Sequence, residues 1–277
     1  SSGTGMSEKE VLLQLTSDHL NTGMRGVPVG TCRTSFVTPT EGVHYCGYPI
    51  TELASFAPED IVYLLFNKEL PTPEQSKEIR AEISSRAAIP GDLEPVLKAL
   101  PTDGHPMDWL SVGIHTLGMF ETTNDWRSDA MNLIARMPRL MGLLFRIRDG
   151  RTENIPADDP SASMVDRFVN TLDIEGVDKA KMTRIISTYL VLHMDHGGGN
   201  LSTFTGKAIA SGHATVYSSM AGAMNALSGP LHGRANQSCL EFVLRIGTSD
   251  PIKVEAFVRA ELEAKRPVFG FGHAVLR

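Results

Sequence analysis

Apolar and polar positions alternate with a helical period along most of the chain. Between residues 56 and 83, the segment FAPEDIVYLLFNKELPTPEQSKEIRAEI predicts two consecutive helices. Pro58, followed by Glu59 and Asp60, favours a helix start, because acidic side chains suit the positive end of the helix dipole. Residues 72–75 have the capping-box pattern that is typical of the start of a second helix.

Longer helical patterns follow in the middle of the chain. Residues 127–148 are periodically apolar but contain Pro138, which we expect to kink the helix or to end its first half. Between residues 179 and 193, side chains at helical spacing define one helix face, made of Met182, Ile185, Ile186, Tyr189, Leu190 and His193. Two further patterns, at 213–228 and 232–246, are separated by a Gly-Pro break that predicts a domain junction.

Strand patterns are confined to the beginning of the chain. In residues 31–50, TCRTSFVTPTEGVHYCGYPI, threonine, valine and tyrosine alternate on either side of Glu41 and Gly42, which predicts a short hairpin. Few other segments alternate for long. The fold class predicted is therefore mainly α, with a short N-terminal β element.

Composition and charge limit the kind of protein. The composition, 42% hydrophobic and 21% charged, is ordinary for a globular protein. The length of 277 residues fits one large domain, or one domain plus a second, smaller domain. A formal net charge of −6 argues against a general nucleic-acid binder. No apolar run approaches the roughly 18 residues that span a membrane, so we expect no membrane partner. Residues 1–5 resemble an expression-vector remnant before Met6, and the polar start lacks a signal-peptide pattern.

The cysteines indicate a reducing compartment. Cys32, Cys46 and Cys239 are odd in number and form no CxxC pair. Such usage is typical of reduced thiols rather than of a disulfide framework.

Three turns in the last third of the chain each combine histidine with glycine. They are HMDHGGGN at 193–200, GPLHGRANQ at 229–237 and GFGHAVLR at 270–277. Imidazole exchanges protons near neutral pH, and adjacent glycines let a ligand approach the backbone closely. If these turns converge on one pocket, they would suit an anionic substrate whose carbonyl must be polarised. The alternative is that the turns are purely structural.

Other kinds of site fit these turns less well. His193, Asp195 and His196 have metal-ligand atoms, but they lack a third clear ligand and the glutamate of a zinc-protease helix, so we predict no metal. Alternatively, His193 is a core histidine on an apolar helix face. No GxSxG turn accompanies the serines, and the glycines at 197–199 and 270–272 lack phosphate-loop spacing.

Several motifs, in this order, resemble those of the citrate synthase family. They are GYPITELA (47–54), HPMDWLSVGIHTLG (105–118), DHGGGNLST (195–203), GPLHGRANQ (229–237) and PVFGFGHAVLR (267–277). The likeness runs from about residue 30 to the end of the chain. GHAVLR is closest to the mitochondrial-type enzymes, whereas DHGGGN is similar to some bacterial ones. The resemblance implies a large helical domain at 6–228 and the start of an incomplete small helical domain at 229–277.

The resemblance also implies an activity and a set of roles. The family condenses acetyl-CoA with oxaloacetate and water to citrate and CoA, through an enol, in the tricarboxylic acid cycle. Carried over to this chain, His196 and Asn200 would bind oxaloacetate. His232 would donate a hydrogen bond to the enol oxygen and Ser202 would orient its ring. His273 would protonate the oxaloacetate carbonyl as the new bond forms.

The resemblance assigns the coenzyme and the assembly as well. The CoA adenine would be recognised by a loop of Val268, Phe269, Gly270, Phe271 and Gly272, and a CoA phosphate by Arg277. It implies no metal, no tightly bound cofactor and a homodimer formed through helices of the large domain. The expected location is the cytoplasm of a bacterium or the mitochondrial matrix of a eukaryote, with the cytoplasm preferred.

The chain departs from the family pattern at its end. The sequence stops four residues after His273, so the family's base aspartate and its later arginines are not in it, and Asp125, Asp129 and Asp195 match no family base. We therefore expect a fragment of an enzyme that is active when whole. The alternatives are a 2-methylcitrate synthase that uses propionyl-CoA and a non-catalytic homologue that keeps the pocket. The arginines of residues 139–151 predict either a solvated helix end or a CoA-phosphate contact.

Overall fold

Helices make up most of the computed structural model, which describes residues 9–22, 26–195, 197–229 and 235–268. The helices are α1 (His19–Thr22), α2 (Ile50–Leu53), α3 (Pro58–Asn67), α4 (Pro73–Arg86), α5 (Leu93–Lys98), α6 (Pro106–Glu121), α7 (Trp126–Arg148), α8 (Met164–Leu172), α9 (Lys179–Leu192), α10 (Leu201–Ser211), α11 (Val216–Leu227), α12 (Ala235–Ile246) and α13 (Pro251–Glu263). The strands are β1 (Ser35–Thr38), β2 (Gly42–Tyr45) and β3 (Tyr48–Pro49). The predicted fold class, mainly α with a short N-terminal β element, is confirmed.

The predicted hairpin is present and gains a third strand. β1 and β2 are antiparallel, with Phe36 opposite His44, and these two rings stack 4.5 Å apart. Gly42 begins β2 at a φ of +75°, a conformation that glycine adopts without a steric penalty. β3 pairs with β2 through Tyr45 and Tyr48. It has only two residues, too few to show a strand period in the sequence.

Local capping patterns correctly predict helix starts. α3 begins at Pro58, and α4 follows Thr72, as expected. The capping box forms in both directions: Gln75 N donates to Thr72 Oγ1 at 3.3 Å, and Thr72 N donates to Gln75 Oε1 at 2.9 Å. Caps are predictable because donor and acceptor lie three residues apart in the chain.

Pro138 does not end a helix. α7 continues through it, from Trp126 to Arg148, so the alternative in which the helix stops there is wrong. A proline inside a helix removes one hydrogen bond. However, Ala135 and Leu140 on either side of it are fully buried, and this packing on both sides of the proline stabilises the continuous helix.

The predicted face of α9 has the correct period but is not buried. Of the residues of α9, all of which are described, Val191 alone is buried, while Ile185 is 59% exposed. His193 caps the end of the helix, is exposed and stacks on Tyr189 with ring centres 4.1 Å apart. The alternative of a core histidine is therefore wrong. Periodicity shows which side chains share a face but not what covers that face.

The main hydrophobic core lies between α6, α7 and α11. Its fully buried side chains include Trp109, Ile114, Leu117, Leu140 and Tyr217. The helices approach closely where glycines remove side chains. A second cluster joins α4, α7 and α8, and a third joins the sheet to α2, α3 and α9, which brings the hairpin beside the end of α9.

The arginine-rich end of α7 is not a solvated surface. Arg146 is 5% exposed and donates from Nη1 to Leu172 O at 3.1 Å. Arg151 donates to the same carbonyl at 2.8 Å. Both guanidinium groups therefore bind the carboxyl end of α8, where the helix dipole is negative. The solvated-end alternative is wrong, and the CoA-phosphate alternative stays a prediction.

The segment after residue 229 forms a helix pair. α12 and α13 contact each other through Phe242 and Phe257, whose rings meet edge to face at 5.6 Å, and through Arg245 and Glu261 at 2.9 Å. The patterns at 213–228 and 232–246 correspond to α11 and α12, each of which begins three residues later than the pattern. The division of the chain into domains at 229 stays a prediction. No helix in the described ranges is both long and apolar enough to cross a membrane.

Candidate active site

A cavity of about 550 Å³ lies between the segment that follows α9 and the helix pair α10–α11. Its polar lining includes Asp195, Asn200, Ser202, Thr203 and Lys207, together with His193 and Ser219, and α11 adds apolar side chains that include Met220 and Met224. Two of the residues implied by the family resemblance, Asn200 and Ser202, therefore line one cavity. The arrangement combines an apolar wall with a few polar groups, as small-molecule sites do.

Asn200 holds the entrance of α10 in place. It is the N-cap, and its Oδ1 accepts from Thr203 N at 2.9 Å and from Ser202 Oγ at 2.7 Å. Its Nδ2 donates to Gly197 O at 3.0 Å. The side chain thus fixes the glycine loop and the helix end that form one wall of the cavity.

The three histidines that carry the predicted chemistry lie outside the described residues. These are His196, His232 and His273. The role of Ser202 in orienting His232 therefore stays a prediction, and within the described residues Ser202 binds Asn200.

Most of the predicted CoA loop also lies outside the described residues. Val268 is described, half-buried and outside any regular element. Phe269, Gly270, Phe271, Gly272 and Arg277 lie outside the described part, so the predicted CoA contacts stay predictions.

Asp195 joins this segment to the N-terminal hairpin. Its Oδ1 accepts from Ser35 Oγ at 2.6 Å and from Gly197 N at 2.9 Å, and its Oδ2 accepts from Thr34 Oγ1. The Tyr45 hydroxyl donates to a backbone carbonyl of α9 and accepts from Asp195 N at 3.3 Å. Burial raises the pKa of Tyr45, which keeps this hydroxyl protonated. Sequence analysis missed Thr34 and Ser35, about 160 residues away from their partner.

Lys207 places a positive charge at the cavity. Its Nζ donates to Thr31 O at 3.4 Å, and a Cβ placed on Gly198 would lie 3.1 Å from the same nitrogen. An ammonium group here attracts carboxylates, because opposite charges attract each other. No spacing rule in the sequence connects position 207 with the histidine turns.

The described residues do not form a cluster of metal-ligating side chains. Within that part of the chain, no three histidine, cysteine, aspartate or glutamate side chains cluster as metal ligands. His193 Nδ1 lies 2.7 Å from Tyr189 O, and the Asp195 carboxylate is bound by hydroxyl and amide donors.

A second cavity, of about 450 Å³, contains none of the predicted site residues. Arg146, Arg151, Glu153, Asp173 and Glu175 contribute to its lining. Three of these charges have local partners, since both arginines bind the end of α8 and Asp173 pairs with a lysine at 2.6 Å. The cavity next to Asn200 is therefore the stronger candidate.

A known protein family matches most of the chain. Residues 23–277 match the family model described as citrate synthase, C-terminal domain. The chain belongs to the citrate synthase family. The family membership that the ordered motifs predicted is thus confirmed. Within the motif at 195–203, the cavity described above is lined by Asp195, Gly197, Asn200, Ser202 and Thr203.

Solved citrate synthases share the fold. The enzyme from Thermotoga maritima MSB8 is 28% identical, with a TM-score of 0.79 over 92% of this chain and 68% of that one. The enzyme from Pyrobaculum aerophilum is 26% identical, with a TM-score of 0.81 over 92% and 66%. The Thermoplasma acidophilum enzyme, solved with carboxymethyl coenzyme A and oxaloacetate, is 24% identical, with a TM-score of 0.78 over 91% and 67%, a likeness that shows the fold alone. The chain spans about two thirds of the length of these structures.

Proposed function

We propose that this citrate synthase family member condenses acetyl-CoA with oxaloacetate and water, giving citrate and free CoA through an enol intermediate. The observation that carries the proposal is that Asn200 and Ser202 line one cavity. The family resemblance implies oxaloacetate binding for Asn200 and orientation of the His232 ring for Ser202. Citrate synthases of the same fold from two organisms are more than a quarter identical to the chain.

The residues of the histidine turns have distinct roles in the proposed reaction. His196 and Asn200 bind oxaloacetate, and His273 protonates its carbonyl as the carbon–carbon bond forms. His232, oriented by Ser202, donates a hydrogen bond to the enol oxygen of acetyl-CoA. One prepared donor to a developing oxyanion contributes about 3–4 kcal/mol, which a weak carbon acid such as a thioester needs.

The charges around the cavity support an anionic substrate. Lys207 is a cation at the cavity wall, whereas the negative charge of Asp195 is already bound by Thr34, Ser35 and the Gly197 amide. Hydrogen bonds to an ionised carboxylate are about twice as strong as neutral ones, so these donors stabilise the Asp195 charge where it is. The cavity therefore favours a carboxylate ligand.

The coenzyme-binding part of the proposal rests on the last residues of the chain. The loop of Val268 and residues 269–272, with Arg277, contacts the adenine and a phosphate of CoA. The Thermoplasma acidophilum protein contains both carboxymethyl coenzyme A and oxaloacetate in this fold.

Ligand binding and turnover test the proposal separately. Calorimetry should show oxaloacetate binding to the 277-residue chain, weakened by Asn200→Ala and unchanged by Ser211→Ala, a control on the far end of the same helix. Release of free CoA thiol is measured on the same chain and on the full product of the natural gene. His232→Ala should lower that rate by about 100-fold or more.

The outcomes separate the alternatives. Faster thiol release from propionyl-CoA than from acetyl-CoA would replace the proposal with a 2-methylcitrate synthase. Binding of oxaloacetate without turnover by the full gene product would indicate a non-catalytic homologue. Absence of oxaloacetate binding would contradict the proposal.

We also propose a homodimer that uses the corner between α6 and α7. Met119 is 80% exposed and Trp126 is 67% exposed, and Phe120 lies between them along the chain. A cluster of exposed large apolar side chains is typical of an interaction surface. Sedimentation should show a dimer that Met119→Glu dissociates and that Ala81→Glu, a charge added to the exposed side of α4, leaves intact. A monomeric unsubstituted chain would contradict this assembly.

A further inference from the structure

We propose that Asp195 is a positioning residue of the candidate active site. Its carboxylate fastens the loop of residues 197–200 to residues 31–35, the segment that leads into β1. The consequence for substrate binding rests on the proposed function, whereas the fastening itself is a property of the fold. Asp195 touches no reacting atom in this scheme and acts through the residues that follow it.

The carboxylate is bound by donors from both sides of this contact. Ser35 Oγ and Thr34 Oγ1 donate from the hairpin side, the former at 2.6 Å. The Gly197 amide donates from the loop side at 2.9 Å. An ionised acceptor with three donors forms strong, directional bonds, so the carboxylate links the two segments firmly.

A second observation places the same two segments against each other. A Cβ on Gly198 would lie 3.7 Å from Cys32 Cβ and 3.1 Å from Lys207 Nζ. Lys207 in turn reaches back to Thr31 O at 3.4 Å. The loop therefore lies directly on residues 31–32, and this contact does not involve Asp195.

The backbone of Asp195, just before the loop, is also held in place by Tyr45. Tyr45, which is fully buried in β2, connects Val191 O, at 2.8 Å, with Asp195 N, at 3.3 Å. The backbone of Asp195 is thus tied to the hairpin in addition to its side chain. A residue held in this way fixes the position of the residues that follow it.

The fastening reaches the proposed oxaloacetate-binding residue in two steps. Gly197 is held at its amide by Asp195 and at its carbonyl by Asn200 Nδ2, at 3.0 Å. Asn200 then caps α10 and binds Ser202. A misplacement of about 1 Å in a set of binding residues costs about 100-fold. Loss of the carboxylate should therefore weaken ligand binding.

The first test measures the fastening without any ligand. Amide hydrogen exchange across residues 197–203 is compared between the unsubstituted chain and Asp195→Ala. We expect exchange at least about tenfold faster in the variant, since a hydrogen bond to a charged group is lost. Asp195→Asn keeps an oxygen acceptor and should restore most of the protection. Unchanged exchange in Asp195→Ala would overturn the proposal, whatever the protein binds.

A matched pair of threonines in the same hairpin isolates the contact. Thr34→Val removes one donor to Asp195, whereas Thr38→Val removes a hydroxyl that binds only the turn, through Glu41 N at 3.0 Å. Faster exchange at 197–203 in Thr34→Val alone supports the proposal, and equal effects of the two would overturn it. This pair also decides the matter if Asp195→Ala fails to fold.

The second test uses oxaloacetate and the coenzyme as probes. Asp195→Ala should raise the Kd for oxaloacetate by about 100-fold and leave that for acetyl-CoA within about threefold, with rescue by Asp195→Asn. A merely structural defect would weaken both ligands together and would overturn the positioning role. If the unsubstituted chain binds no oxaloacetate, the proposed function fails, and the exchange experiment still decides whether Asp195 fastens the loop.

Discussion

Glycine has opposite purposes in the helical core and in the loop of the candidate site. A Cβ on Gly118 of α6 would lie 2.6 Å from Tyr217 Cβ, and one on Gly142 of α7 would lie 2.5 Å from Thr171 Cγ2. Around Gly197 and Gly199, no described residue other than the chain neighbours lies within 4 Å of the corresponding position. In the core, glycine is required by the neighbouring helix. In the loop, it leaves open space beside the cavity and allows a backbone that other residues rarely adopt.

A similar contrast holds for two partly buried carboxylates. In the core, Glu121 is bound by Tyr217 and Arg136, two side chains from neighbouring helices. At the site, Asp195 is bound by the hydroxyls of Thr34 and Ser35 and by a backbone amide. The core pairs its charge with another full charge, whereas the site uses neutral donors.

The largest effect among these predictions comes from filling a core contact that cannot relax. Gly118→Ala should lower the free energy of unfolding by about 3 kcal/mol, because Tyr217 Cβ is attached to the backbone and cannot rotate away. Urea denaturation measures this value. Gly222→Ala is the control: its Cβ would lie 2.1 Å from Ile209 Cδ1, the end of a flexible side chain, and it should cost about 1 kcal/mol. Equal losses in the two variants would contradict this account of the packing.

The next effect concerns Glu121, the partly buried carboxylate of the core. Tyr217→Phe removes the hydroxyl that donates to Glu121 Oε1 at 2.6 Å and should cost about 2 kcal/mol by urea denaturation. Burial, together with Glu121, raises the pKa of Tyr217, so the folded state keeps the proton that the unfolded chain loses near its ordinary pKa of about 10. This contribution to stability is therefore fully present below about pH 10 and is lost as the pH rises further.

The alkaline dependence has its own control. Stability curves of the unsubstituted chain and of Tyr217→Phe should converge as the pH rises above about 10, because the variant has no hydroxyl to ionise at that position. A constant difference across that range would show that the hydroxyl acts by packing alone.

Local features of the fold were predictable from the sequence, and distant contacts were not. The capping box of Thr72 and the turn at Gly42 depend on residues a few positions apart, and both were predicted correctly. The continuity of α7 through Pro138 depends on what packs against the helix, which no local pattern contains. For the same reason the face of α9 was identified but its exposure was not.

The candidate site divides in the same way. The motif of residues 195–203 predicted that Asn200 and Ser202 belong to one place, and both line the cavity. Thr34 and Ser35 join that place through contacts that span about 160 residues and have no spacing rule. Lys207 was missed because a lone lysine on a helix is indistinguishable in sequence from a solvated one.

A smaller effect distinguishes the two glycines of the loop. Gly197 has a φ of +97°, which a side chain disfavours, whereas Gly199 has no such constraint. Gly197→Ala should therefore cost about 1 kcal/mol of unfolding free energy, and Gly199→Ala less than about 0.5 kcal/mol. Thermal unfolding of the two variants in parallel measures the difference. If Gly199→Ala were the more destabilising change, open space would not explain the glycines of this loop.

The smallest effect leaves stability unchanged and compares two thiols. Cys32 is exposed beside the loop, and although burial opposes the shift, hydrogen bonds from Ser35 and Thr34 lower the pKa of its thiol. Burial raises the pKa of Cys46, which lies half-buried behind β2. Since the thiolate is the nucleophile, iodoacetamide at pH 7.5 should label Cys32 before Cys46, as peptide mass mapping would show. Ser35→Ala should slow that labelling and leave Cys46 unaffected, because only the thiol beside the site depends on the hydroxyls that also bind Asp195.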